Sequence, residues 1–430
     1  MTTAQQTTPP PAAAASAPRS LLTERPFRLL YTAAAVSKLG TAVSSLAIPL
    51  VAVVALHAGA AQVGLLATLS TVAFLLIGLP AGAWVDRSPK RRVMVAADLV
   101  RAVALGSVPA AWALGRLTFT QLCAAVLVSG VATVFFDVAS LSSLPDLVGR
   151  DRLTEANAHL VTTDALTQIG GRTVGGLLLA AVAAPAAVLV DAVSYVWSAA
   201  CLLRLGSGPA PVRRGGGRTG IRAEIGAGLR FVRQDPVLRP IALAGGCTNL
   251  SIQLCQTVLP LLITRELGLP SWVLGLFFAA GGLGVLLGSR CARPLARRWG
   301  AGRVLWLMGV VIAPFGLLIA LVDRGGWLWA AALGWLVTTF KVGIDNVLKV
   351  SFRQAVTPDH LLGRMNATMR FVLTGALCVG SALAGLLGAT LGVRAALWAG
   401  AAGLALVWVP ISRSPIRGAR ALPGARTAPR

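Results

Sequence analysis

The strongest constraint on this chain is a rhythm of apolar runs of about 20 residues, the length a helix needs to cross ~30 Å of hydrocarbon. They fall at about 28–54, 62–84, 93–113, 119–141, 159–182, 185–204, 240–262, 272–290, 303–322, 327–350, 366–389 and 394–412. A soluble fold has nowhere to put that much apolar surface: 56% of the residues are hydrophobic and only 13% are charged, against about 25% charged in soluble domains. In lipid, backbone N–H and C=O groups must be satisfied within the segment, so runs of this length dictate helices. The expectation is an all-α membrane protein with twelve transmembrane helices.

Lys and Arg set its orientation. Alternate connections at 86–92, 142–158, 204–239, 290–303 and 349–364 hold 22 of them, and the opposite connections hold 4. Positive charge stays cytoplasmic, so the chain is expected in the cell membrane, multi-pass, with both termini cytoplasmic. Trp272 and Trp327 fall near the outer ends, where indole favours the headgroup region. The net charge of +24 therefore reads as topology, since the basic residues form no groove or aromatic-interleaved platform for nucleic acid. Residues 1–27, rich in Ala, Thr and Pro, and 413–430, basic with Pro and Gly, are expected to be disordered cytoplasmic tails. The basic residues precede the first apolar run and no small-residue cleavage site follows it, so that span is expected to remain as an anchor. The six cysteines lie in or beside apolar segments without a C-x-x-C pair, which excludes a disulfide framework or zinc site.

The longest connection, 205–239, divides the spans six and six. Its Gly- and Arg-rich piece reads as a linker, and Ile221, Ile225, Leu229 and Phe231 suit an amphipathic helix on the membrane surface. The halves 28–204 and 240–412 repeat. A shift of 211 carries Pro49 onto Pro260, Gly64-Leu65 onto Gly275-Leu276, and Arg87, Arg92 and Val93 onto Arg298, Arg303 and Val304. A shift of 208 to 210 matches Asp151 to Asp359, Asn157 to Asn366 and Gly175 to Gly385. Repeats in one orientation imply two six-helix bundles with pseudo-twofold symmetry and a substrate cavity between them.

The connection after the second span reads G-x-x-x-D-R-x-x-K-R-R at Gly82, Asp86, Arg87, Lys90, Arg91 and Arg92. With it the chain resembles the major facilitator superfamily of transporters across 28–412. The stretches "SLPDLVGRDRLTEANA", "DAVSYVWSA" and "GLRFVRQDPVLR" make it similar to the drug-exporter branch that includes macrolide efflux proteins and the enterobactin exporter. That resemblance implies alternating access, with protons moving inward as substrate moves out. It also implies that Asp86 is a gate latch, paired with Arg87 or a neighbour and set against the start of the eleventh span near Asn366. A topological stop signal explains the cations but not the acid. Gly82 would permit close helix contact, and the second-half copy has Arg297 where Asp86 stands. In the fifth span, Gly171, Arg172, Gly175 and Gly176 replace the branch's Gly-Pro-x-x-Gly-Gly; Arg172 departs from the antiporter signature, and the glycines still allow a helix to approach closely.

Ionisable residues inside spans are costly and so are functional candidates. Asp164, Asp191 and Asp345 are candidates for proton coupling, with helix-to-helix contact as the rival role. Arg172 lies near the midplane and Lys38 nearer the cytoplasm; each suits either the cavity or an ion pair. Lys341, Asp345 and Lys349 share one helix face at i, i+4, i+8. Asn249, Gln253 and Gln256 form a polar face that suits the cavity or interhelical hydrogen bonds equally. Asp137, Lys349 and Arg370 lie close enough to helix ends to hydrate.

No phosphate loop, H-E-x-x-H or G-x-S-x-G is present, so the chain is not read as an enzyme, and no cofactor or metal is expected. The expected function is a secondary exporter of small amphipathic molecules, an antibiotic or secondary metabolite, acting as a monomer among membrane lipids with protons as coupling ion. A siderophore exporter or an importer is the nearest alternative, and a membrane scaffold or receptor the alternative of another class.

Overall fold

The computed structural model describes residues 21–85, 87–149, 152–205, 221–358 and 361–419, without some side chains inside its helices. The first half comprises α1 (Arg25–Ala55), α2 (Ala60–Val85), α3 (Lys90–Ala113), α4 (Phe119–Val148), α5 (Leu153–Ala181) and α6 (Ala184–Leu203). A short helix, α7 (Ile221–Gln234), precedes the second half. That half comprises α8 (Leu238–Glu266), α9 (Ser271–Trp299), α10 (Ala301–Ala320), α11 (Gly326–Val356), α12 (Leu362–Thr390) and α13 (Val393–Ser412). Eleven of these, all but α5 and α7, are long and apolar enough to cross a membrane, and α5 is a 29-residue helix at the place of the fifth expected span. The protein is an all-helical membrane protein.

The helices overrun the apolar runs at the end bearing the basic connections, the basic end. There α4, α9 and α11 extend to Val148, Trp299 and Val356, and α3 and α12 begin at Lys90 and Leu362. Hydropathy registers where hydrocarbon stops, whereas a helix continues until a breaker or cap ends it. Two expectations for the tails are corrected here. Leu21 is fully buried, its N–H donates to Glu155 Oε1 at 3.2 Å, and Glu24 pairs with Arg152, so residues 21–27 are docked on α5. Residues 415–418 form a turn against α10: Ile416 is buried, the Gly302 N–H donates to the Ala419 carbonyl at 3.0 Å, and Arg417 lies over the Trp306 ring. The remaining tail residues, 1–20 and 420–430, lie outside the described ones. In α7, Leu229 is exposed while Val232 is buried in a cluster with Leu238, Met365 and Met369, which docks this helix on α8 and α12.

The repeat is visible in backbone hydrogen bonds. Each of α1 and α8 carries a proline, Pro49 or Pro260, and ends in a π-helical turn, Val51–Ala55 or Leu262–Glu266. After the first turn, the Leu56 N–H bonds the Val51 carbonyl and the Ala58 N–H bonds that of Ala52; after the second, Leu267 bonds Leu262 and Leu269 bonds Ile263. Every one of these positions differs by 211. Both turns then require a left-handed residue, His57 at φ 52° and Gly268 at φ 60°.

Within the first half α1 packs on α5 and α6, α3 on α4 and α6, and α2 on α4; within the second, α8 packs on α12 and α13, and α9 on α11. Between halves α2 meets α12 and α5 meets α9. These crossings close at the end opposite the basic connections, the neutral end. A methyl group on Gly64 would overlap Gly385 Cα, and one on Gly275 would overlap Gly176 Cα, so each pair brings backbone against backbone. The repeat thus places one glycine contact on each flank of the central axis.

Candidate functional site

Behind these glycine contacts lies a cavity of about 520 Å³ between the halves. Its size is within the range of pockets for small organic ligands. The wall mixes apolar and aromatic side chains, such as Leu66, Phe74 and Phe278, with hydroxyls, amides and three charged residues: Asp137, Asp191 and Arg370. α1, α2, α3, α4 and α6 supply the first-half side, and α8, α9 and α12 supply the other. Such a surface can hold a molecule with one apolar and one polar part.

The most enclosed polar feature of the wall is the neighbourhood of Asp191. Gly40 of α1 admits α6 at this level, since a methyl there would meet Ser194 and Asp191. The Ser194 hydroxyl donates to the Asp191 backbone carbonyl at 2.7 Å and lies 3.3 Å from its Oδ1. The Thr41 and Tyr195 hydroxyls share a hydrogen bond of 2.9 Å. Asp191 Oδ2 and Ser44 Oγ, both on cavity-lining residues, are buried without a hydrogen bond of ordinary geometry, although the Ser44 and Tyr195 hydroxyls lie close enough to act on the Asp191 carboxylate. Stability alone disfavours a buried carboxylate oxygen without a well-formed hydrogen bond.

Behind Asp191 stands an ion pair that the sequence reading omits. Asp98 and Arg101 of α3 are buried and paired at i, i+3. The guanidinium lies between two rings, 4.4 Å from the centre of Phe136 and 4.2 Å from that of Tyr195. Stacking, pairing and burial together hold it in one place. The signal was two opposite charges three residues apart in an apolar run, which on a helix share a face.

The other sequence candidates are dispersed. Gln253 and Gln256 line the cavity, whereas the Asn249 side-chain amide donates to the Leu373 carbonyl of α12 at 3.0 Å. Lys341, Asp345 and Lys349 form one buried cluster, with both ammonium groups on Asp345 Oδ2 at 2.6 and 2.9 Å. Lys341 is not among the cavity-lining residues; its cluster lies on the helix that packs against α9. Lys38 is half-buried and is not among the cavity-lining residues. The side chains of Asp164 and Arg172 lie outside the described residues, as does Asp86 altogether. Asp137 and Arg370 line the cavity, where Arg370 is exposed and stacks 4.4 Å above Phe74 of α2.

The basic cluster bolts the first half together. Lys90 Nζ reaches Asp146 Oδ2 at 2.6 Å and the Ser142 carbonyl at 2.7 Å, fixing α3 to α4. Arg91 donates from Nε to the Leu202 carbonyl at 2.9 Å and also to that of Leu203, satisfying the end of α6. Arg87 and Arg92 are exposed. Among the described residues, a methyl on Gly82 would meet nothing within 4 Å. Gly171 and Gly175 pack on Ala42 and Val43 of α1, and Gly176 makes the contact with Gly275.

The model of the transmembrane secretion effector family, within the major facilitator superfamily, matches residues 15–425. The multidrug efflux pump Tap of Mycolicibacterium fortuitum is 29% identical over 391 residues, spanning 86% of this chain and 91% of the relative. The enterobactin exporter EntS of Escherichia coli O127:H6 is 27% identical over 399 residues, spanning 91% and 92%. Among solved structures, a bacterial homologue of the iron transporter ferroportin in an inward-facing state superposes with a TM-score of 0.71 at 19% identity, over 90% of this chain and 98% of that one. The nucleoside transporter NupG gives 0.71 at 11% identity, over 90% and 99%. The chain belongs to the transmembrane secretion effector family of the major facilitator superfamily, and is a transporter rather than an enzyme.

Proposed function

We propose that this family member exports small amphipathic molecules, an antibiotic or secondary metabolite, by alternating access coupled to inward proton movement. The observation that carries the reading is the cavity of mixed polarity, placed between the halves and behind a closed neutral end. The distribution of Lys and Arg supports placing the basic end and both termini in the cytoplasm. In that orientation the conformation is inward-facing, ready to load from the cytoplasm. The boundaries 28–204 and 240–412 are proposed as the two moving units, with 205–239 as their tether.

Asp191 is the proposed proton carrier that faces the cavity. Asp164 remains a candidate, while Asp345, held by two lysines away from the cavity, suits a structural role in the second half. Asp86 is proposed as the basic-end latch in the outward-facing state, where Gly82 would find its helix contact. Similarity to the enterobactin exporter EntS and the Arg370 guanidinium on the wall favour one second reading, export of an anionic metal-chelating siderophore.

Transport by purified protein in liposomes under an imposed pH gradient tests all of this, with a panel of cationic, neutral and anionic amphiphiles including enterobactin. Gradient-driven movement abolished by Asp191→Asn and slowed by Asp86→Asn is the expected outcome. Movement independent of the gradient would remove proton coupling, and unchanged rates in Asp86→Asn would remove the latch.

A further inference from the structure

The neutral end carries arginines beside the π-turns, and they do not all do the same thing. Arg324 Nε donates to the Leu267 carbonyl at 2.8 Å, and Arg394 reaches the Val322 carbonyl and Asp323 Oδ2 at 3.4 and 3.3 Å. These contacts stay within the second half. Arg265 crosses to the first: its Nη1 donates to the Ala58 carbonyl at 3.1 Å and its Nη2 to the His57 carbonyl at 3.0 Å.

Backbone geometry explains why those carbonyls are available. The π-turn ends α1, the left-handed residue His57 turns the chain away, and the carbonyls of His57 and Ala58 fall beyond the helical ladder. Carbonyls at a helix C-terminus attract a cation, and a planar guanidinium can serve two at once. In the repeat, the first-half position equivalent to Arg265 is Val54, which is half exposed. The two π-turns are copies in backbone, yet among the described residues the crossing exists once.

We infer that Arg265 is the latch of the neutral-end gate, a positioning residue that holds the substrate cavity shut on that side by binding the His57 and Ala58 carbonyls of the opposite half. The inference rests on the alternating-access reading above. Any motion that separates the halves at the neutral end draws Arg265 away from these carbonyls, because donor and acceptors belong to different halves. The flanking glycine contacts supply fit without direction; the guanidinium supplies the bond that must break. Arg265 is itself exposed, so water replaces its partners readily and the latch can open in each cycle.

The test is hydrogen exchange of the full chain in nanodiscs, comparing wild type with Arg265→Ala, Arg265→Lys and, as a same-end control, Arg324→Ala. Arg265→Ala should speed exchange by roughly tenfold in peptides covering 57–66 and 265–275, the loss expected for charge-assisted hydrogen bonds. It should also slow exchange at the basic ends of α2 and α9, since opening one side closes the other. Arg265→Lys should fall between, and Arg324→Ala should match wild type at 57–66. Unchanged exchange at the neutral end in Arg265→Ala, or equal acceleration at both ends, overturns the inference, because the second pattern is general loosening. The exporter reading fails separately, if wild-type protein in liposomes moves no compound outward, whatever the exchange shows.

Discussion

Asp98 and Arg101 are 0% and 2% exposed, so deleting one leaves the other as an uncompensated buried charge. Arg101→Met should therefore destabilise the protein by about 3–5 kcal/mol, while adding Asp98→Leu should recover most of that loss, as thermal unfolding in detergent would register. Asp191 calls for the opposite outcome. Its carboxylate is buried among hydroxyls rather than paired with a cation as Asp98 is, a cost to folding, and Asp191→Asn should leave the unfolding temperature unchanged or raise it while abolishing gradient-driven transport. A lowered unfolding temperature with transport retained would make Asp191 structural. Sequence reading singled out Asp191, with Asp164 and Asp345, because any charge inside a span is costly. It omitted Asp98 and Arg101, which begin shortly after the basic start of α3 and look like its continuation. It did not show that Asp137 and Arg370 line the cavity, because depth along a span says nothing about which side of the helix meets it.

Helices α2, α5, α9 and α12 meet through glycine, and the demand differs from one glycine to the next. A methyl on Gly64 or Gly275 meets backbone across the halves, while one on Gly59, a few residues from Gly64, meets nothing within 4 Å. Gly64→Ala and Gly275→Ala should each weaken the closed neutral end by about 1–3 kcal/mol and lower transport rates, and Gly59→Ala should leave transport unaltered. Equal rates in all three variants would mean that the flanks have room to separate. At this scale the sequence was highly legible: apolar runs located the membrane helices, and the 211-residue offset paired Gly64 with Gly275 before any contact was known. The π-turns were not legible, because Pro49 and Pro260 announce only a disturbed helix, and the form it takes depends on the packing around it. The basic-end extensions were missed because a helix clear of the hydrocarbon has no reason to stay apolar.

For the whole molecule, the architecture and the transporter family follow from hydropathy, charge asymmetry and repeat together. The cavity does not, since its wall draws on eight helices whose rotations are fixed only by mutual packing. The docked segment after α13 bears on how the intact chain is held together. Ile416 fills a site beside Val304 and Leu305, and the Ala419 carbonyl completes the first turn of α10. Ending the chain at Arg413 should cost about 2 kcal/mol of stability, measured as a lower unfolding temperature, whereas ending it at Ala419 should cost little. A fluorescent reporter or affinity handle joined at Arg413 in place of this clasp would yield a protein that unfolds at a lower temperature in detergent. One joined beyond Ala419 would leave the clasp seated, so the usable attachment point is six residues further along than hydropathy suggests.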